Sequence, residues 1–203
     1  MSDDSWKAKW QATLDAVGHD LSDGAVRWGA DRIEAAVVRR YVEPLEISTL
    51  IHTDEKAAVD AGYPGLIAPA TGALAFSLPA MWSPGEETLW ASAERNAQPV
   101  RTPINNEDQG PAPRTKGFFA TDIEADFLRP VEVGERLGTK GRRLLSCVLK
   151  ETSVGRGAFM TVESEIVSDR GDTVVCLRTT VYAFDPIPKD ERRFGHAESG
   201  ANL

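Results

Sequence analysis

Trp6, Trp10, Leu14 and Val17 recur at spacings of four, four and three, which gathers them on one face of a helix ending near Gly18. A helix with such a face must dock on something. Val37 to Val42 is dominated by β-branched and aromatic residues and is closed by Pro44, so it reads as a strand. Thr53 can cap a short helix from Asp54 to Ala61, with Asp54 and Glu55 at its positive end and Gly62 as its stop. From Leu66 to Met81 the chain is small and apolar nearly all round, through Thr71-Gly72-Ala73-Leu74-Ala75-Phe76-Ser77-Leu78, which is the pattern of a buried helix.

Residues 83–117 show little periodicity, several Pro and Gly, and mixed charge, so they read as a long loop. From Thr121 the period becomes two. Ile123, Ala125 and Phe127 share a face, and Arg129-Pro130 and Val133-Gly134 mark a bend. Leu137 to Leu149 follows as a second strand, Met160, Val162, Ser164 and Ile166 line one face of a third, and Val175, Leu177, Thr179 and Val181 one face of a fourth. The last two are joined through Ser168-Asp169-Arg170-Gly171-Asp172 as an antiparallel hairpin. After Tyr182 the chain turns polar, with Pro186 and Pro188, and has little to bury. The order predicts an α+β fold in which an antiparallel sheet wraps one central apolar helix. Three parts are expected: an N-terminal helical extension over 1–36, the sheet-and-helix domain over 37–184, and a polar C-terminal tail over 185–203. The open sheet edges favour pairing with a second copy or a sister domain.

A length of 203 residues suits one domain with extended ends. No apolar run is long enough to cross a bilayer, and the acidic start, Met-Ser-Asp-Asp-Ser-Trp-Lys, lacks the basic flank and apolar core of a secretory signal. The expected compartment is the cytoplasm, with no membrane partner. A net charge of -8 argues against a nucleic-acid surface, which calls for a concentrated basic face. Cys147 and Cys176 form no C-x-x-C pair and have no histidine near them in sequence, so neither a disulfide framework nor a metal site is expected. No glycine-rich phosphate loop of either common type occurs.

The stretch Ile51-His52-Thr53-Asp54-Glu55-Lys56 through Gly62-Tyr63-Pro64-Gly65-Leu66-Ile67-Ala68-Pro69 resembles the motif region of MaoC-like hydratases and dehydratases. In that family Asp-x-Asn-Pro-Leu-His leads into an acidic helix, a Gly-aromatic pair and an Ile-Ala stretch entering the central helix. Phe127-Leu128-Arg129-Pro130-Val131-Glu132-Val133-Gly134-Glu135-Arg136-Leu137 and Lys150-Glu151-Thr152-Ser153-Val154-Gly155-Arg156-Gly157-Ala158-Phe159 resemble two later blocks. The resemblance covers roughly residues 37 to 184 and implies a hotdog fold. Two departures stand out. Ile47 occupies the position of the family's aspartate, and Ile67-Ala68-Pro69-Ala70 replaces its usual Ile-Ala-His-Gly, a variant similar to fatty-acid-synthase-like dehydratase domains, many of which pair with a catalytic hotdog.

Hydrating a 2-enoyl thioester needs a base for water, an acid for the α-carbon and donors for an enolate-like oxygen. His52 stands where the resembled family keeps its catalytic histidine, and imidazole suits proton transfer near neutrality. Glu46, one residue before the vacant aspartate position, is the candidate replacement carboxylate. The backbone amides of Ala70, Thr71 and Gly72 are candidate donors at the helix start. Trp82 is a candidate wall of an acyl tunnel. Arg39, Arg40, Arg129, Arg142, Arg143 and Arg156 are possible contacts for the coenzyme A or phosphopantetheine of the substrate, and no separate cofactor is expected. The leading expectation is an enoyl-thioester hydratase or 3-hydroxyacyl-thioester dehydratase, a hydro-lyase acting on an acyl thioester as a homodimer or as a heteromer with a second hotdog subunit. The alternative is a non-catalytic acyl-binding subunit paired with a catalytic MaoC-like partner. Thioester hydrolysis ranks last, because Leu66 to Met81 carries no carboxylate.

Overall fold

A computed structural model describes residues 4–100 and 110–187. The polar tail expected over 185–203 therefore lies outside the described residues beyond Ile187, as does the 101–109 part of the long loop. The chain opens with a 3-10 helix, Asp4–Trp10, that runs into α1, Gln11–Asp15. Trp10 is fully buried, Trp6 and Leu14 are half-buried, and Gly18 ends the segment at φ 92°. Arg27–Trp28 forms the short strand β1.

The strand expected over Val37 to Val42 is instead a helix, α2, spanning Ala35–Val42. Its buried positions are Val38 and Val42, four residues apart, while Val37 stays exposed. Packing at the helical period outweighs the β-preference of its valines, which amounts to less than about 1 kcal/mol per residue. The next helix, α3, spans Glu55–Asp60 close to its expected place. Its cap is Asp54 rather than Thr53: the Asp54 carboxylate accepts the Ala57 amide at 3.0 Å. Gly62, at φ 92°, is the stop.

Ile67–Ala68 is a two-residue strand, β2, followed by a 3-10 turn over Ala70–Gly72 and by α4, Ala73–Phe76. The central helix expected over Leu66 to Met81 is thus reduced to a single α-turn with its 3-10 entry. Pro69 lacks the amide hydrogen that would run a helix on from β2, Gly72 is a weak helix former, and Pro79 holds Leu78 out of helical geometry. Gly72, Ala73 and Ser77 are buried, whereas Leu74 and Ala75 are exposed, so the segment is not covered all round.

The remaining strands are β3, Gly117–Phe127; β4, Val131–Glu132; β5, Leu137–Glu151; β6, Arg156–Ser168; and β7, Thr173–Asp185. The main sheet is antiparallel in the order β1-β5-β6-β7-β3, with β2 and β4 forming a separate pair. The β6–β7 hairpin turns at Gly171, φ 97°, as its turn-forming sequence predicts. The inner face of the sheet is packed at both ends. Leu137, Ile166 and Val175 meet Val38 and Val42 of α2 and Ala73 of α4, and Leu144, Ala158, Met160 and Ala183 meet Trp10. Residues 4–36 are therefore integrated with the sheet, through β1 and through Trp10.

One buried charge ties the crossing elements together. Glu135, in the β4–β5 turn, is 1% exposed and receives both forks of Arg129 at 2.9 and 2.7 Å, the Ser168 hydroxyl at 2.5 Å and the Glu132 amide at 2.7 Å. Arg129 also pairs with Asp172 in the β6–β7 turn. Burial alone would raise the Glu135 pKa, but the Arg129, Ser168 and Glu132 hydrogen bonds outweigh it and hold the carboxyl below its ordinary value. Because the folded-state value is depressed, the network's stabilisation is present above the unfolded-state pKa, around 4.5, and is lost as pH falls through the folded value. Glu135→Ala should cost about 3–5 kcal/mol by leaving Arg129 partly buried beside an empty site. Urea unfolding measured as a function of pH should show the wild-type midpoint falling in acid, with a flatter profile for the variant.

Candidate functional site

His52 ends a 3-10 turn, Leu50–His52, directly before the Asp54 cap of α3. Its ring is half-buried, and Nδ1 lies 2.8 Å from the carbonyl oxygen of Ile67 in β2. A carbonyl only accepts, so Nδ1 carries the hydrogen, and in the neutral ring Nε2 presents its lone pair. That tautomer is the one a general base at Nε2 requires. The anchor is itself fixed, since β2 pairs with β4 through Ile67 opposite Glu132 and Ala68 opposite Val131.

Beyond β2 the chain reaches a cavity of about 250 Å³. One wall is Ala70, Thr71, Ala73 and Leu74; the other is the inner face of the sheet, from Ile123, Ala125 and Phe127 on β3, Ile166 on β6, and Val175 and Leu177 on β7. Thr71 is the one polar residue of this lining, and its hydroxyl accepts the Tyr41 hydroxyl at 3.2 Å. Such a space takes a hydrocarbon chain and offers no charge to it.

Of the residues singled out in the sequence, Ala70 and Thr71 line the cavity, and His52 is bonded to the strand that leads into it. Gly72 is buried behind the wall, and its amide donates to the Pro69 carbonyl at 2.9 Å, so it is not free for a substrate oxygen. Trp82 does not line the cavity: it is 44% exposed, and its indole N–H donates to the Glu86 carbonyl at 3.4 Å. The expectation failed because α4 ends before Trp82, which leaves the chain outside the site. Glu46 is exposed at φ 53°, while Ile47 packs against the core, so the vacant aspartate position is filled by an apolar side chain. Arg129 and Arg156 are engaged by Glu135 and Glu151 respectively. The sequence reading missed the sheet wall of the cavity, although the period-two apolar face of Ile123, Ala125 and Phe127 was its signal. It also missed Tyr41, which sits on an element read there as a strand.

An antiparallel sheet over a short inner helix, with an apolar cavity between them and a histidine bonded to the strand that leads into it, is the arrangement of a hotdog domain. Residues 16–177 match the family described as FAS1-like, dehydratase domain region, and the chain belongs to this family of MaoC-like hotdog dehydratases. A probable enoyl-CoA hydratase alpha subunit from Thermomonospora curvata is 25% identical over 186 residues, covering 92% of this chain and 54% of that protein. The chain thus spans about half the length of this relative. Among solved structures, the ChsH1–ChsH2 complex from Mycobacterium tuberculosis aligns over 89% of this chain and 98% of its own, at a TM-score of 0.61 and 21% identity. A MaoC-like dehydratase from Rhodospirillum rubrum aligns over 82% and 94% at a TM-score of 0.51 and 18% identity. No described helix is long and apolar enough to cross a membrane.

A Cβ at Gly72 would lie 2.5 Å from Cε2 of Phe76, whose ring packs on Tyr41 at a centroid distance of 5.5 Å. Gly72→Leu should therefore push Phe76 off Tyr41 and cost about 1–3 kcal/mol or more through overpacking. Chemical denaturation checks this, and an unchanged midpoint would contradict the placement of the 3-10 turn.

Proposed function

We propose that the chain is a subunit of an enoyl-thioester hydratase or 3-hydroxyacyl-thioester dehydratase, with His52 as its acid–base group and the apolar cavity as the seat of the acyl chain. The observation that carries this reading is the Nδ1 bond of His52 to the Ile67 carbonyl, which leaves Nε2 as a proton acceptor on a ring anchored to the strand that runs on into the cavity wall. In the hydration direction Nε2 takes a proton from water as its oxygen attacks the β-carbon, and the resulting imidazolium, or a second acid, protonates the α-carbon. In dehydration the same atoms run in reverse. The amides of Ala70 and Thr71, at the start of the 3-10 turn, are the proposed donors to the thioester oxygen. The coenzyme A or phosphopantetheine arm belongs to the substrate, and the reaction as written needs no metal and no further cofactor.

A second reading has its own support. With Glu46 turned to solvent and Ile47 in the core, this chain sets no replacement carboxylate at the family's aspartate position. On that reading the chain binds the acyl group and a partner hotdog supplies the missing acid or the whole reaction. The two are separated by assaying crotonyl and longer enoyl thioesters with the purified chain alone, then after adding a catalytic hotdog protein. Robust turnover by the chain alone supports the first; turnover only in the mixture supports the second.

Within an active assembly, His52→Ala should lower turnover at least about a hundredfold without changing the unfolding midpoint. Unchanged turnover would remove His52 as the base. Glu46→Gln should leave turnover within about twofold, because its carboxylate is solvent-exposed. A large loss measured in steady-state assays would restore Glu46 to the mechanism.

A further inference from the structure

The lining of the cavity is Ala, Val, Leu, Ile and Phe everywhere except at Thr71. Valine has nearly the shape of threonine and would make the wall wholly apolar, so the hydroxyl is what sets this position apart. It does not hold the 3-10 turn together. Among the described residues its one hydrogen bond is with Tyr41, whose hydroxyl donates to Thr71 Oγ1 at 3.2 Å. Oγ1 is the acceptor there, so the hydrogen of Thr71 itself remains unused. Tyr41 is fixed in turn: it sits on α2 beside the buried Val42, and its ring packs on Phe76 at a centroid distance of 5.5 Å.

A donor placed this way discriminates between acyl groups. Thr71 is exposed, so water solvates its hydrogen until an acyl chain lies over the wall. A plain hydrocarbon chain displaces that water and brings no acceptor, which leaves the donor unmet. A chain with an oxygen at this point replaces the lost bond with one of its own. The Tyr41 bond sharpens the difference, because it keeps Oγ1 as an acceptor and turns Thr71 towards a ligand as a polarised donor. The main chain fixes which oxygen is met. The amides of Ala70 and Thr71 are the proposed donors to the thioester oxygen, and the Thr71 hydroxyl hangs from the same residue. The oxygen it meets therefore lies within a few bonds of the thioester carbon. The α-carbon carries none in an enoyl or 3-hydroxyacyl group, which leaves the third carbon.

We propose that Thr71 is the residue by which the cavity selects acyl groups oxygenated at the third carbon over plain hydrocarbon chains, donating to that oxygen, with Tyr41 as a positioning residue. The inference rests on the acyl-seat reading above, but its test measures binding without turnover, so the two fail separately.

Butyryl, 3-hydroxybutyryl and 4-hydroxybutyryl groups are joined to pantetheine through an amide, whose α-hydrogens are too weakly acidic for elimination. Each is titrated into the purified full chain while the methyl NMR signals of Ile123 and Leu177 report occupation of the cavity. The better-bound 3-hydroxybutyryl enantiomer should bind about three- to tenfold more tightly than butyryl, the scale of one neutral hydrogen bond, and more tightly than 4-hydroxybutyryl. Thr71→Val should bring the ratio of 3-hydroxybutyryl to butyryl affinity to about one, and Thr71→Ser should retain most of it. Thr71→Ala replaces the valine variant if circular dichroism shows the latter unfolded. Tyr41→Phe, which keeps a ring on Phe76, should reduce the ratio roughly twofold. A general disturbance of the fold weakens all the ligands together and cancels in these ratios. The proposal is overturned, and the acyl seat left standing, if wild type binds 3-hydroxybutyryl no better than butyryl or 4-hydroxybutyryl, or if the preference survives without the Thr71 hydroxyl. An unchanged ratio in Tyr41→Phe removes Tyr41 from it. If no ligand shifts the methyl signals, the acyl-seat reading and the proposal fall together.

Discussion

The inner face of the sheet is mainly apolar, and among the described residues the segment between β2 and β3 offers it a single α-turn, Ala73–Phe76. Strands of thirteen to fifteen residues in β5, β6 and β7 present far more inner surface than Ala73–Phe76 can cover. Apolar surface left in water costs roughly 25 cal/mol per Å², so other parts of the chain are recruited. Trp10 from the N-terminal segment covers the end near Leu144 and Ala183, and Val38 and Val42 of α2 cover the end near Leu137 and Val175. What lies between is the cavity, and towards β3 the cover stops. The cavity and the apolar edge are therefore two consequences of one shortfall in helix.

The same shortfall explains the position of His52. A helix that begins only after Pro69 leaves Ile67 and Ala68 free to be a strand, and the Ile67 carbonyl, placed by that strand's pairing with β4, is what orients His52. The Ile67 carbonyl that holds His52 and the Ala70 end of the cavity wall thereby lie three residues apart on one segment. The block from Phe127 to Leu137, one of the carriers of the family resemblance, contributes electrostatically: Arg129 and Glu135 clamp the β4–β5 turn to the β6–β7 hairpin, and β4 in turn holds β2. A charge buried this deeply is tolerable because Arg129, the Ser168 hydroxyl and the Glu132 amide all donate to it.

Glu46 and Trp82 show where linear proximity misleads. Glu46 is one residue from the family's aspartate position, but a side chain moves to the other side of the backbone with each step. Here Ile47 takes the inward direction and Glu46 the solvent. Trp82 adjoins the apolar run, but it reaches the site only if the helix continues to it, and that helix stops at Phe76. Arg129 likewise had the charge for a substrate phosphate, whereas the carboxylates of Glu135 and Asp172, six and forty-three residues away, already hold it.

The sequence by itself determined the four long strands, the β6–β7 hairpin, the α3 segment with its glycine stop, the buried Trp10 and the α+β family. Each is written in a local period or a local turn residue, which survives without knowledge of the partner surface. It also singled out His52. The tertiary structure alone decided that Val37 to Val42 is helical, that the inner helix is one turn long, which tautomer His52 adopts, and which candidates line the cavity. Those outcomes depend on what each segment packs against and on carbonyls and carboxylates brought close from distant positions. Such competition among contacts is settled only when the whole chain has folded.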